Sequence, residues 1–312
     1  MALPTIRQLE YFVTAARVGT FAGAAAEHFI AQPSLSEQIS TLEQSLGVVL
    51  FTRTSRRLLL TDAGKQLLPL TQRTLASARE LSEHGKRLRT LEEGTVSFGT
   101  FSSAHLYLLT DLIRDFHNLY PSVRIRVTGL NSSDVADAVR AGDIEAGLVQ
   151  LPIDDSELDV TPSIFSDQVV YVSNNPEHTA KPVDVATMAN YPLILSEARW
   201  ANADPLRVSL ARLAQQEGIS LQPLIEVEFQ IHVLDLAAEG VGNSLVSYHV
   251  GRPLLAQRGL TWAPLDPPII EHYAFITRHN GAISPATAQF MRLAGQALQR
   301  LAKHVVPPEI AT

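Results

Sequence analysis

Apolar residues recur at helical spacing through the first ninety positions, and after Gly94 the pattern changes to short apolar runs alternating with amphipathic segments. Leu9, Phe12, Val13 and Ala16 predict a helix over residues 6–16, which Gly19 stops. Thr20 is placed to cap a second helix over residues 21–29, where Ala22, Ala24, Ala25 and Ala26 permit close approach of a neighbour. After a turn at 30–32, Pro33 takes the favoured first position of a third helix, with Leu35, Ile39, Leu42 and Leu46 along its buried stripe and Gly47 at its end. Two short helices joined by a tight turn predict a helix-turn-helix whose second helix offers a polar face to a DNA groove; a solvated structural hairpin has the same periodicity. Residues 51–61 predict two short strands around a basic turn, a wing.

Residues 62–91 carry Leu67, Thr71, Thr74, Ala78, Leu81, Gly85 and Leu88 at alternating spacings of four and three. This is a heptad seam weakened by Thr71, Thr74, Gly85 and Pro69, so the helix either pairs with a second copy or packs within its own chain. Beyond it, strands at 95–101, 123–127 and 146–149 alternate with helices at 104–119 and 132–141, which predicts a parallel open sheet. A second α/β lobe follows, with strands at 169–172, 192–195, 224–229 and 244–247 and helices at 206–217 and 231–238. A strand at 272–277 and a helix at 285–302 close the pattern.

Charge changes this picture. Net charge is −7, yet residues 1–93 hold 11 basic and 9 acidic residues against 14 and 23 in the remainder. A basic head on an acidic body suits a local anion-binding surface attached to something that binds other things. With no cysteine, disulfides, thiolate metal sites and thiol nucleophiles are excluded. No apolar run reaches the ~18 residues of a membrane span and no secretory signal is visible, so a cytoplasmic protein with no membrane partner is expected. The ten histidines form no metal-binding pattern, no GxSxG or P-loop is present, and Gly240-Val-Gly242 lacks a third glycine. No catalytic residue, metal or cofactor is therefore expected.

Candidate DNA contacts are Gln32, Ser34, Ser36, Glu37 and Gln38 on the third helix, with Pro33 at its start, and Arg53, Ser55, Arg56 and Arg57 in the wing, where a phosphate fits. In the body, the strand ends and helix starts carry Thr100, Phe101, Ser102, Ser103, Asn131 and Ser132, with Gln150 ending the third strand. Such positions attract ligands, anions above all, although the serines could equally be plain helix caps. Ser196, Trp200, Phe229 and Ser247 are the candidates from the second lobe.

The head resembles the LysR-type transcriptional regulators. The likeness rests on Arg7-Gln-Leu-Glu-Tyr-Phe12, Gly19-Thr-Phe-Ala-Gly-Ala-Ala-Ala26, Ala31-Gln-Pro-Ser-Leu-Ser-Glu-Gln-Ile39, Leu42-Glu-Gln-Ser-Leu-Gly47, Leu50-Phe-Thr-Arg53 and Leu60-Thr-Asp-Ala-Gly64. Glu37 departs from the pattern, since many relatives carry a basic or small residue there. The resemblance implies a multidomain chain of mixed α+β and α/β class. A winged helix-turn-helix would cover 1–61, a dimerising linker helix 62–91, and a bilobed α/β effector domain, like a periplasmic binding protein, the rest. Lobe 1 would take 92–163 and 268–302, lobe 2 would take 164–267, and 303–312 would be a tail, with crossings near 162–166 and 265–269. It also implies a homodimer or homotetramer on double-stranded operator DNA, a small-molecule effector, and RNA polymerase as partner when it activates. The helix starts favour a carboxylate effector. The alternative is a small-molecule enzyme or solute-binding module whose helical head serves only assembly.

Overall fold

The computed structural model describes residues 3–53 and 58–304 of the chain. It divides into two compact units, Met1–Arg87 and Leu88–Thr312.

The first unit contains α1 (Ile6–Val18), α2 (Phe21–Glu27), α3 (Gln32–Leu46), the hairpin β1 (Phe51–Arg53) and β2 (Leu58–Leu60), and most of α4 (Asp62–Arg89). Thr5 and Gln8 form a reciprocal capping box at the start of α1, and Gly19 ends that helix at φ 75°, a conformation that only glycine adopts cheaply. α2 stops two residues before the predicted end because Phe29 takes a left-handed φ of 55° and turns the chain toward α3. α3 opens on Gln32, so Pro33 is its second residue rather than its first. Phe12, Leu35, Ile39, Leu42 and Leu50 are buried at the centre, and the Phe12 and Phe21 rings meet Phe51 edge-on at 5.5 and 5.6 Å. Glu43 Oε1 accepts the backbone N–H groups of Leu50 (2.7 Å) and Phe51 (3.2 Å), which ties α3 to the wing.

A Cβ on Gly64 would lie 2.3 Å from the Leu50 carbonyl oxygen, so α4 approaches the wing closely only because this residue has no side chain. Gly64→Ala is expected to destabilise the unit by about 1–3 kcal/mol, read as a lower Tm of its transition. The heptad seam of α4 proves divided. Thr71 and the off-seam Leu75 are buried within the chain, whereas Leu81 and Leu88 on the seam and Leu70 off it are exposed.

The second unit contains, in order, β3 (Thr95–Phe101), α5 (Leu109–Leu119), β4 (Arg124–Leu130), α6 (Ser132–Ala141), β5 (Ala146–Leu151) and β6 (Leu158–Val160). The chain continues through β7 (Phe165–Ser173), α7 (Val185–Met188), β8 (Leu193–Leu195), α8 (Pro205–Gln216), β9 (Ile225–Glu226) and α9 (Gln230–Ala238). It ends with β10 (Asn243–Ser247), α10 (Tyr248–Arg258), β11 (Thr261–Pro264), β12 (Ile270–Arg278) and α11 (Pro285–His304). The strands form one path, β4-β3-β5-β12-β7-β10-β8-β9, with β6 on β12 and β11 on β7.

The parallel strands β3, β4 and β5 join the antiparallel β12 to form lobe 1, where Phe98, Phe116, Phe290 and Leu298 pack one face against α5 and α11. The second half of β7 with β8 to β11 forms lobe 2. The lobes are joined by paired strands rather than loops: Phe165–Gln168 of β7 runs antiparallel to Ile270–Tyr273 of β12.

Two predicted elements differ, and one helix was not predicted. The helix expected over 104–119 is broken into a 3-10 turn, Ser102–Leu106, and α5, because Tyr107 leaves helical φ (−144°) and lays its ring against Phe101. The strand expected over 224–229 shortens to the two residues of β9, since Phe229 already caps α9. α10 escapes the pattern because Gly251 and Pro253 lie inside it.

Candidate functional site

On α3, Gln32, Pro33, Ser34 and Glu37 are exposed, while Ser36 and Gln38 are half-buried. Gln38 is less available than its spacing suggested: its Oε1 accepts from Gln8 Nε2 at 3.2 Å, so its carbonyl braces α3 on α1. Ala31, the N-cap, provides no side-chain cap to the first turn, which suits backbone N–H donation to a phosphate. Arg53 ends β1. Ser55, Arg56 and Arg57 lie outside the described residues.

Between the lobes lies a cavity of about 40 Å³. Eight of the candidates line it: Phe101, Ser102, Ser103, Asn131, Ser132 and Gln150 from lobe 1, and Ser196 and Ser247 from lobe 2. Asn131 and Ser132 also bond within the fold. Asn131 Oδ1 caps α6 by accepting from Ser133 N (3.0 Å), and Ser132 Oγ accepts from Gln150 N (2.9 Å).

Three candidates fall outside the lining. Thr100 is fully buried on the face of β3 shared with Val96 and Phe98, and its hydroxyl has no partner among the described residues. The Trp200 indole donates Nε1–H to Asp134 Oδ1 (3.2 Å) instead of walling the cavity. Phe229 is half exposed and packs edge-on to His232.

Sequence reasoning missed the acidic half of the lining, Glu197, Asp204 and Glu271, together with Leu206, Gln230 and Tyr273. Asp204 caps α8 through Arg207 N (3.0 Å), a role its Asp-Pro start could have signalled, and burial raises its pKa. Glu271 falls in phase with Tyr273 and Phe275 on the buried face of β12, which was its signal. Burial pushes its carboxyl up to about 7, against hydrogen bonds donated to Oε2 by Ser247 (2.6 Å) and Tyr273 (2.5 Å). Asp167, its neighbour on β7, is paired with His249 Nδ1 at 2.7 Å and adds repulsion. The Tyr107 hydroxyl, buried beside both acids and without a partner among the described residues, is held well above its usual pKa mainly by burial.

Glu197 takes a left-handed φ of 59° and sends its carboxylate into lobe 1, accepting from Ser102 Oγ (3.1 Å) and Asn131 Nδ2 (2.9 Å). Burial raises its pKa, and the two hydrogen bonds oppose that rise.

Residues 6–65 match the bacterial regulatory helix-turn-helix protein, lysR family, and residues 89–299 match the LysR substrate binding domain. The chain is a LysR-family transcriptional regulator. The regulator is 31% identical to the HTH-type transcriptional regulator IlvR of Caulobacter vibrioides over 277 residues, covering 85% of this chain and 90% of that one. It is 25% identical over 291 residues to the uncharacterized HTH-type regulator YbhD of Escherichia coli, covering 92% and 90%. Its fold is that of a full-length OxyR variant from Pseudomonas aeruginosa (TM-score 0.75, 18% identity, 94% of this chain and 99% of that one). The full-length CbnR structure in complex with its target DNA is also similar (TM-score 0.56, 22% identity, 94% and 99%). The regulator controls transcription and is not an enzyme. Among its described residues no helix is long and apolar enough to cross a membrane.

Proposed function

We propose that the regulator reads operator DNA as a homodimer or homotetramer and is controlled by a small molecule with an acidic group bound between its lobes. The observation that carries the effector half is the Glu197 carboxylate, held by Ser102 and Asn131 beside the start of α6. A site that accommodates the chain's own carboxylate has the donors for a ligand's. Glu271 and Asp204 across the cavity favour an effector that also brings a hydroxyl or ammonium donor, since a bare anion would meet them unfavourably. Native mass spectrometry of the full chain tests this reading. A co-purified acid supports it, and a co-purified molecule without an acidic group overturns it.

The organisation proposed is a winged head to residue 61, a linker helix over 62–91 and two effector lobes. Exposed Leu70, Leu81 and Leu88 on α4 support pairing through that helix. In the DNA-bound oligomer, α3 and the wing engage operator bases and phosphates, and RNA polymerase is the further partner where the regulator activates.

With roughly four to eight phosphates engaged per dimer, log K against log salt is expected to slope at roughly −4 to −7. Gln32→Ala, at an exposed amide, is expected to reduce discrimination between operator variants by about 1–3 kcal/mol. Arg56→Ala is expected to weaken all sequences alike and flatten the salt slope. Competition binding across operator variants distinguishes the two. If both substitutions weaken every sequence equally, α3 is not the base-reading element.

A further inference from the structure

Glu197 belongs to lobe 2, between β8 and α8, yet both of its carboxylate oxygens are bonded in lobe 1. Its backbone is held in the left-handed region, at φ 59°, although it has a side chain. Lobe 2 supplies the restraint. Glu197 N donates to the Glu228 carbonyl (3.4 Å), and the Arg207 guanidinium, itself paired with Glu226, donates to the Ser196 carbonyl (3.2 Å). Three residues on, Trp200 Nε1 donates to Asp134 Oδ1 in the first turn of α6. A short segment of lobe 2 is thus bonded to lobe 1 at three points: Ser102, Asn131 and Asp134.

We propose that Glu197–Trp200 is a built-in latch: the Glu197 carboxylate acts as an internal ligand that holds the lobes closed, and an arriving effector must displace it. The closure half stands on the geometry alone, while the displacement half rests on the carboxylate-effector reading above. Space favours displacement, because a cavity of about 40 Å³ has room for only a few waters while Glu197 is in place. Displacement also has somewhere to go. Once the lobes part, the carboxylate returns to water and sheds the burial that raises its pKa. Effector affinity on this account is a difference between two carboxylates competing for one set of donors, so weakening the latch strengthens binding.

The absence of cysteine makes the test direct, since introduced cysteines are the only labelling sites. Asp143→Cys in lobe 1 and Gln216→Cys in lobe 2, both exposed, place one spin label on each lobe of the full-length chain. Labelled chain diluted with unlabelled chain then reports the distance within one protomer. With the latch intact a single narrow distance is expected. Glu197→Ala is expected to move the main peak to longer distance by more than its own width. Trp200→Phe, which keeps an aromatic ring and removes only the N–H, is expected to broaden it less. Unchanged distributions in both variants, each folded by its melting profile, overturn the latch. Sodium acetate titrated against sodium chloride at equal ionic strength tests displacement, with wild type expected to open and Glu197→Ala to show no further change. Opening by Glu197→Ala with no acetate response in wild type leaves the latch standing and counts against a carboxylate effector.

Discussion

Phe12→Ala is expected to unfold the DNA-binding unit and abolish operator binding while the effector-binding unit melts as before. Phe12 is 1% exposed at the centre of the unit and meets Phe51 edge-on. Removing a fully buried ring of this kind costs about 3–5 kcal/mol, the lost transfer energy plus the cavity left behind. The unit, Met1–Arg87, has little more than that to lose, because so small a domain buries a modest share of its surface. Calorimetry separates the outcomes. Loss of the first unit's transition with an unaltered second one is the expected trace, and normal operator affinity in the variant would show that the Phe12 ring is not what holds α1 to the wing.

Glu271→Gln is expected to change the pH dependence of the second unit. The Glu271 carboxyl lies at about 7 in the fold against its ordinary 4.5, so the folded state holds the proton more tightly than the unfolded chain. The stability from this group is fully present below pH 4.5 and is lost as pH rises through about 7; a rise of that size corresponds to about 3 kcal/mol. Glutamine keeps a neutral hydrogen-bonding group against Ser247 and Tyr273 and has nothing to ionise. Wild type should therefore lose Tm between pH 5 and pH 8, and Glu271→Gln should lose much less and be the more stable at pH 8. Glu197 and Asp204, also raised by burial, contribute the same sign and leave a residual slope. Parallel pH profiles for the two chains would place the slope elsewhere.

The head was legible in the sequence because its determinants are local. Gly19 and Gly47 end helices at positive φ, Thr5 and Thr20 start them, and the periodic apolar residues are those of the buried core. The lobe 1 half of the cleft was legible for the same reason, since Ser102, Asn131 and Ser132 mark where strands give way to helices. Glu197, in its acidic half, was not. Glu197 meets Asn131 across 66 positions and Ser102 across 95, and no periodicity encodes such a meeting. Thr100 was misplaced for a simpler reason. Strand alternation puts it with Val96 and Phe98, on the core side, and proximity to a serine pair outweighed that phase. Trp200 and Phe229 show that an aromatic residue near a cleft can equally serve a cross-lobe hydrogen bond or a helix start.

The split construction of lobe 1 sets an order on how the protein is made. Its core needs β12 and α11, whose residues Phe275, Phe290 and Leu298 pack with Phe98 and Phe116 from far earlier in the chain. As residues leave the ribosome, the head can complete its own core by the early part of α4, and lobe 2 has most of its strands well before synthesis ends, whereas lobe 1 stays open until its last helix emerges. A nascent chain, or one truncated before β12, therefore owns a finished DNA-reading unit and no closable cleft, which makes premature termination a route to a regulator that is deaf to its signal.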